Sequence, residues 1–475
     1  MIVSREMLAD IAKIAVDQKA FKYAESQKYS FYSGATLEQI KERIIKEFKN
    51  PDTKHELFNR LCPINIMRKI ITKSARIYIE PPLRKDATDN EDDEALFSLY
   101  QDSMAINRKM MTSNRLYEIF KKFIIELYPD GMGRPRARAL PPHTIIALSY
   151  NTVSENVPDV IVKLVKITGS PKEWELHVWS DESFWVIDGE GHINTTKMQA
   201  LDNPEGANKW GVLPFVYKCD SELGVEPIPE DALYECSVKI PILLTDLSFG
   251  AKYQAWSLIY TVNAGGSIPT NPNTVVHLKQ KEGEPTPSIN KLDPTIQISE
   301  TLKLIEAQIS YLLSTRGLKT SSISGQFTTT TAESGISKAI DNSSLIEDKK
   351  NDQQIFLEAE EEMWDKINLL NKAWRMQGLL KGDYSKEFSA TFKARVILSE
   401  PKVVMSESEQ VDISIKRLEA GLSTLKMELK QLYPSLTDAE IDELEEQIKE
   451  ESASDVEALN NQFNDEDNVD DGAKD

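Results

Sequence analysis

The residues able to do chemistry are few and scattered along the chain. His55, His143, His177, His192 and His277 show neither HxxxH nor HExxH spacing, so no zinc site is expected. Cys62, Cys219 and Cys236 are odd in number, far apart and outside any CxxC pair, and read as reduced, buried thiols of a cytosolic protein. No GxGxxG, Walker A or GxSxG pattern occurs. Acidic pairs are plentiful, but among 76 Asp/Glu they read as solvated surface. Arg134, Arg136 and Arg138 alternate in the turn-rich stretch 129–143, which reads as a short basic strand or loop, or else as a phosphate-contacting patch. A hydrolase would need a serine near position 320, a distant histidine and an acid, and the five scattered histidines argue against it. The expectation is a protein that is not an enzyme and carries neither cofactor nor metal.

The net charge of −20 is uneven: residues 431–475 hold 16 Asp/Glu against two Lys, or −14, leaving −6 for the other 430 residues. There is no overall basic footprint of the kind that grips nucleic acid tightly. A chain of 475 residues has room for about two to four domains with sizeable cores. No apolar run approaches the roughly 20 residues a membrane span needs, and MIVSREMLAD lacks the features of a secretion signal. The protein is therefore expected to stay in the cell that makes it.

One stretch organises the rest. From Ile336 to Gln377 there is neither glycine nor proline, Gly335 precedes the run, and Gly378 stands where a left-handed C-terminal cap belongs. Phe356, Met363, Ile367, Leu370 and Trp374 form one apolar stripe, while the first half is polar nearly all round, with a bend expected near 342–344. Ahead of it, residues 1–127 read as helices. Thr36 with Gln39 is a candidate capping box, 64–79 is an amphipathic helix with Arg/Lys on one side, 85–94 is a charged loop, and 92–127 is a further helical pattern. Strand-like runs follow at 144–150, 160–167, 174–179 and 183–187, with Trp174, Trp179 and Trp185 read as sheet packing.

After 212–217 comes a helical stretch at 230–262, with Pro241 marking its start or a kink. Residues 264–294 carry five prolines around a strand at 274–279, and 298–314 is helical again, so 230–314 reads as a hairpin-like projection. Residues 317–333 hold eight Ser/Thr and two Gly, a flexible surface loop by composition, but one placed between two strong helices, where long loops tend to be functional. Residues 388–398 alternate like a strand. Helices are expected at 407–432, broken at Gly421, and from Thr437, with Glu440 as its capping-box partner, to about 450. The acidic tail from Ser452 should be mobile.

This order of parts resembles a tailed-bacteriophage portal protein over about residues 30–451. Four places carry the resemblance: Asn65–Ile79 closed by Glu80-Pro-Pro82; Gly211-Val-Leu-Pro-Phe-Val216; Ser334-Gly335-Ile336-Ser337-Lys338-Ala339; and Glu419-Ala-Gly-Leu-Ser423 followed by the acidic run 438–446. The resemblance implies an α+β, mainly helical fold with an antiparallel β part and a long central helix. In it, 1–230 and 334–404 form the wing with the long helix, 231–262 and 298–316 are stem helices, 263–297 is the clip, 317–333 is the tunnel loop, and 405–451 is the crown, followed by the mobile tail 452–475.

It also implies a homo-oligomeric ring, typically of twelve, at one capsid vertex of the virion, assembled in the host cytoplasm. Double-stranded DNA passes through the ring without sequence specificity. The implied partners are the large terminase subunit, a head–tail connector or adaptor protein, and the major capsid and scaffolding proteins, with no membrane. Lys319, Ser324, Gln326, Thr328, Thr329, Thr330 and Thr331 would face the DNA, and Thr274, His277, Lys279 and Lys281 would dock the motor or connector. The threonine-rich loop and short clip depart from the family pattern, and the rival reading is a virion adaptor without a DNA channel.

Overall fold

The structure is a computed structural model that describes residues 1–47, 49–88, 90–150, 157–167, 170–220, 225–227, 231–255, 258–262, 283, 285–286, 288–292, 298–318, 343–398, 407–433 and 440–448. The chain divides into two units, residues 1–328 with 343–401 and residues 329–342 with 402–475. The fold mixes helices with antiparallel sheets, as expected.

The spine of the first unit is the helix Ser343–Met376. Phe356, Met363, Trp364, Ile367, Leu370 and Trp374 along it are all at most 1 % exposed, so the stripe legible in the sequence is the face that packs. Its 34 residues span about 51 Å at about 1.5 Å each. Gly378 ends it at φ +66°: its N–H reaches Arg375 O at 2.9 Å and the Leu379 N–H reaches Trp374 O at 2.8 Å. That pair of bonds needs a left-handed residue, which a side chain would penalise. The expected bend at 342–344 falls at the edge of the described residues.

Helices α1 (Arg5–Asp17), α2 (Lys19–Ser33), α3 (Thr36–Glu47), α4 (Pro51–Phe58) and α5 (Ile66–Ser74) come first. They are followed by β1 (Leu83–Asp86), α6 (Glu91–Met104), α7 (Ile106–Phe120) and β2 (Lys122–Pro129). Five sequence expectations change here. The amphipathic helix is shorter than 64–79: Asn65 caps α5 by accepting the Arg68 N–H at 2.8 Å, and the chain leaves the helix at Ala75 so that Ile77 and Tyr78 enter the core. The pattern 92–127 is not one helix. Ala105 and Lys121 adopt left-handed backbone angles, and 122–129 is a strand, because β2 finds hydrogen-bond partners far along the chain that local propensity cannot see.

The charged segment 85–94 begins inside β1, which pairs antiparallel with Ala394–Ile397, while the strand expected over 388–398 keeps only those four residues. No capping box forms either. Thr36 Oγ1 accepts from Asn65 Nδ2 at 3.1 Å, and Gln39 Nε2 donates to Gln27 O at 2.8 Å, so both side chains tie helices together instead.

The sheet region follows: β3 (Pro135–Leu140), β4 (Ile145–Leu148), β5 (Val160–Ile167), β6 (Ser170–Trp179), β7 (Phe184–Ile187), α8 (Thr195–Ala200) and β8 (Phe215–Cys219). One sheet has the order β3-β2-β8 and the other β4-β5-β6-β7, both antiparallel. In β5, Val160 and Val162 join the core under α1 while Ile161 joins the core between the sheets, so both faces are covered and the strand reads as a continuous apolar run. The alternating arginines take the strand reading: in β3, Arg136 pairs with Asp130 at 2.9 Å and Arg138 with Glu126 at 2.5 Å. Trp185 is buried and donates to Val3 O at 3.1 Å, and Trp179 packs on Phe184 and Trp210, as sheet packing requires. Cys219 is buried, Cys236 is half-buried and Cys62 is exposed, against the expectation of three buried thiols.

Two histidines give this unit a pH response. His143 lies 5.3 Å from the Tyr29 ring, and His177 lies 3.4 Å from Glu175; burial pushes the pKa of each imidazole down. Unfolded, each would take its proton near pH 6.5; folded, each resists until lower pH. The unfolded state therefore binds more protons below about pH 6.5, and stability falls as the pH drops from there towards the folded values. The urea midpoint should be level above about pH 7 and decline as the pH falls below about 6.5. The pair His143→Gln and His177→Gln should flatten that decline, and an equal decline in the double variant would refute the assignment.

Candidate functional site

The stretch from 231 to 318 forms a helical hairpin. Helix α9 (Ala232–Ala255) leads to β9 (Leu258–Val262), and β10 (Ser288–Leu292) leads to α10 (Ile298–Ser314). The strands pair antiparallel, Leu258 opposite Leu292 and Val262 opposite Ser288, and α9 packs on α10. The helix expected over 230–262 is thus shorter, because its last residues are spent on the strand pair. Pro241 lies inside α9, where its missing N–H removes one helix bond; Thr245 Oγ1 donates to Pro241 O at 2.7 Å on the following turn. Thr274, His277, Lys279 and Lys281, expected to dock a motor or connector, lie outside the described residues, as does the strand expected at 274–279.

Polar contacts fix both ends of α9 to the N-terminal helices. Arg43 Nη2 meets Glu235 Oε1 at 2.7 Å, Lys252 Nζ meets Glu56 Oε2 at 3.3 Å, and Lys28 pairs with Asp231. The Tyr234 hydroxyl donates to Gln39 Oε1 at 2.9 Å, and its ring stands edge-on to Phe31. Ile305, Leu312 and Leu313 of α10 are buried in the main core. One side of α10 is open: Leu304 is 52 % and Tyr311 73 % exposed.

The end of α10 is built like the end of the long helix. Gly317 has φ +62°, its N–H reaches Ser314 O at 3.2 Å, and the Leu318 N–H reaches Leu313 O at 2.9 Å. Leu318 and Leu313 are both buried, the apolar contact that accompanies this cap. Next to it, Arg316 Nη1 reaches both the carbonyl and the carboxylate of Glu118, each at 3.3 Å. The chain thus leaves α10 at a pinned point and returns as the long helix by Ser343. Lys319, Ser324, Gln326, Thr328, Thr329, Thr330 and Thr331 all lie between those points, outside the described residues.

A device with no sequence signal holds the long helix to the body. Arg84 of β1 donates through Nε to Glu360 Oε2 at 2.8 Å and through Nη2 to Glu360 Oε1 at 2.6 Å, while Nη1 reaches Asn107 Oδ1 at 2.5 Å. The partners are 276 residues apart, so no spacing rule could have joined them. A second tie is Asn371, whose Nδ2 donates to the Tyr100 hydroxyl at 2.7 Å and to Lys386 O at 3.0 Å. Burial pushes the Tyr100 phenol up to about 12, so it stays a neutral hydrogen-bonding group.

The second unit contains Glu407–Glu419, Leu425–Leu432 and a helix at 440–448. The break at Gly421 is present, with φ +66°. Ser414 Oγ donates to Glu428 Oε2 at 2.6 Å, Lys426 pairs with Asp442, and Ile441 is fully buried. Thr437 and the tail from 449 lie outside the described residues.

Among the described residues no three His, Cys, Asp or Glu side chains are placed to hold a metal, and no helix is long and apolar enough to cross a membrane. No family model matches the chain, and no curated protein does. Solved structures do match. A chain of "Neck of empty GTA particle computed with C6 symmetry" aligns at 10 % identity over 77 % of this chain and 88 % of its own, with a TM-score of 0.41. A chain of "Virion of native gene transfer agent (GTA) particle" aligns at 9 % identity over the same shares, with a TM-score of 0.39. Scores this low carry no argument about what the chain does.

Proposed function

We propose that the chain is a portal-type virion protein: one subunit of a closed ring, typically of twelve, through which a tailed phage's double-stranded DNA is packaged and released. The observation that carries this is the helix–strand–strand–helix hairpin ending in the Gly317 cap, followed by a Ser/Thr-rich segment and then a long helix clamped to an α/β body. In this reading, α9 and α10 are the stem, the residues between β9 and β10 are the clip that meets the packaging motor and the connector, and the residues after Leu318 hang over the channel.

The electrostatics support a conduit. Each phosphate gripped by Lys or Arg adds affinity and hence friction. A channel segment whose one charge before Glu333 is Lys319, and whose hydroxyls come from Thr328, Thr329, Thr330 and Thr331, would offer weak, sequence-blind contacts. A ring of C-terminal segments at −14 each would repel the passing polyanion.

Negative-stain imaging of the purified protein tests the ring. From 53.7 kDa subunits it should give annular particles of more than about half a megadalton with a central hole. A small oligomer without a hole would favour the adaptor reading. Deleting Thr328–Thr331 should leave the rings intact and lower the DNA packaged per particle; unchanged packaging would remove those residues from the channel.

A further inference from the structure

The overall acidity of the chain hides a local exception on its first unit. Residues 65–79 and 103–117 contain no acidic residue, in a chain with 76 of them. These two stretches carry α5 and α7, which pack on one another. Along α5, Arg68, Lys69 and Lys73 are exposed, and just past its end the half-buried Arg76 folds back so that its Nε donates to Lys73 O at 3.0 Å. On α7, Arg108 and Arg115 stand seven residues apart, two helical turns, on one side of the helix. The two rows meet at Tyr32: burial pushes its hydroxyl up, and the guanidiniums of Arg115 and Arg68 beside it pull the other way. Between the side chains lies a shallow hollow of about 310 Å³ lined by Asn65, Arg68, Lys69, Thr72 and Lys73.

Elsewhere in the same unit cations find carboxylates, as Arg136 does with Asp130, Lys163 with Glu126 and Lys197 with Glu175. Among the described residues Arg68, Lys73, Arg76 and Arg108 have no carboxylate partner, and the one acid inside either helix, Glu118, is buried against Arg316. Clustered like charges cost self-repulsion, which a ligand of opposite sign relieves.

We propose that the outer face of α5 and α7 is a docking surface for the phosphate backbone of duplex DNA. A duplex strand presents a charge every ~3.4 Å of its axis, so a rigid row of cations about one helical turn (~5.4 Å) apart meets phosphates at any register and with any base sequence. A protein partner would need carboxylates spaced to match; a duplex needs nothing. Long Arg and Lys side chains over an open hollow suit backbone contact, and no structured groove for reading bases accompanies them. The surface needs no ring, so annular particles that fail to bind duplex here would sink this inference alone.

The test is fluorescence anisotropy with the full chain and two labelled short duplexes of unrelated sequence, at about 50 and about 200 mM salt. Both duplexes should bind equally and weaken with salt. The triple variant Arg68→Gln, Lys69→Gln, Lys73→Gln should lower the log–log salt slope by about 2.7, since each phosphate contact contributes about 0.9. Its affinity at the lower salt should drop roughly tenfold or more. Arg108→Gln should weaken binding in the same direction, while Lys13→Gln with Lys46→Gln, on other helices, should change nothing. Unchanged binding in a triple variant with wild-type circular dichroism would overturn the proposal. So would competition by polyglutamate equal to that of unlabelled duplex, which would point to an acidic protein instead.

Discussion

Replacing Glu360 with alanine lowers the free energy of unfolding by about 3–5 kcal/mol, the cost of breaking a buried ion pair from one side. The carboxylate side chain is 0 % exposed and the Arg84 guanidinium 2 %, so water cannot take over the lost contact. After the change, Arg84 keeps only Asn107 Oδ1 as a strong acceptor, and an uncompensated charge remains in the core. The same step loosens β1, which Arg84 anchors, and with it the β1 pairing to Ala394–Ile397 after the long helix.

The pair itself need not be strongly stabilising, because both charges lost their hydration on folding. Arg84→Met with Glu360→Leu should therefore lie within about 1–2 kcal/mol of the parent, on either side. Urea unfolding at fixed protein concentration reads both, since any oligomer adds a concentration-dependent contribution. A single Glu360→Ala variant that loses less than about 1 kcal/mol would mean that water reaches the pair in solution.

What the sequence made legible was whatever depends on near neighbours. The apolar stripe of the long helix, the glycine caps at Gly378 and Gly421, and the bounds of α10 all follow from spacing of three or four residues or from one residue lacking a side chain. What it hid depends on distant partners. Residues 122–127 read as the end of a helical pattern with Phe123 in its core; they belong to the strand Lys122–Pro129 because Cys219 to Phe215 and Leu140 to Pro135 supply ladders on both sides. The last residues of the 230–262 stretch are a strand for the same reason, Leu292 lying opposite Leu258.

The charge count misled in a related way. A sum over the chain is negative, yet the acid-free stretches 65–79 and 103–117 become one positive face only when α5 packs on α7. The candidate channel and clip residues were read from composition and family resemblance, and the fold supplies only the described ends that frame them, Leu318 with Ser343 and Val262 with Ser288.

If copies of the chain close into the proposed ring, introducing glutamate at both Leu304 and Tyr311 should dissolve it while sparing the fold. Leu304, Ala307 and Tyr311 are spaced three and four apart on α10, so they form one stripe, and all three are exposed. The opposite side of α10, with Ile305, Leu312 and Leu313, is already committed to the subunit's own core. An apolar stripe left open on a helix packed on its other side is the pattern of a surface awaiting a partner. A neighbouring copy of the same chain is the partner the annular reading requires.

Covering one leucine is worth about 1.5–3 kcal/mol, and burying an unpaired carboxylate in its place costs several more. A closed ring repeats that penalty at every junction, so a modest loss per interface should abolish the assembly. The double variant should elute at its 53.7 kDa monomer mass with unchanged circular dichroism, because neither side chain contributes to the subunit's core, while its thermal midpoint loses the concentration-dependent part that assembly supplies. Intact annular particles in that variant would place the contact between copies elsewhere, and α10 would lose its part in the ring.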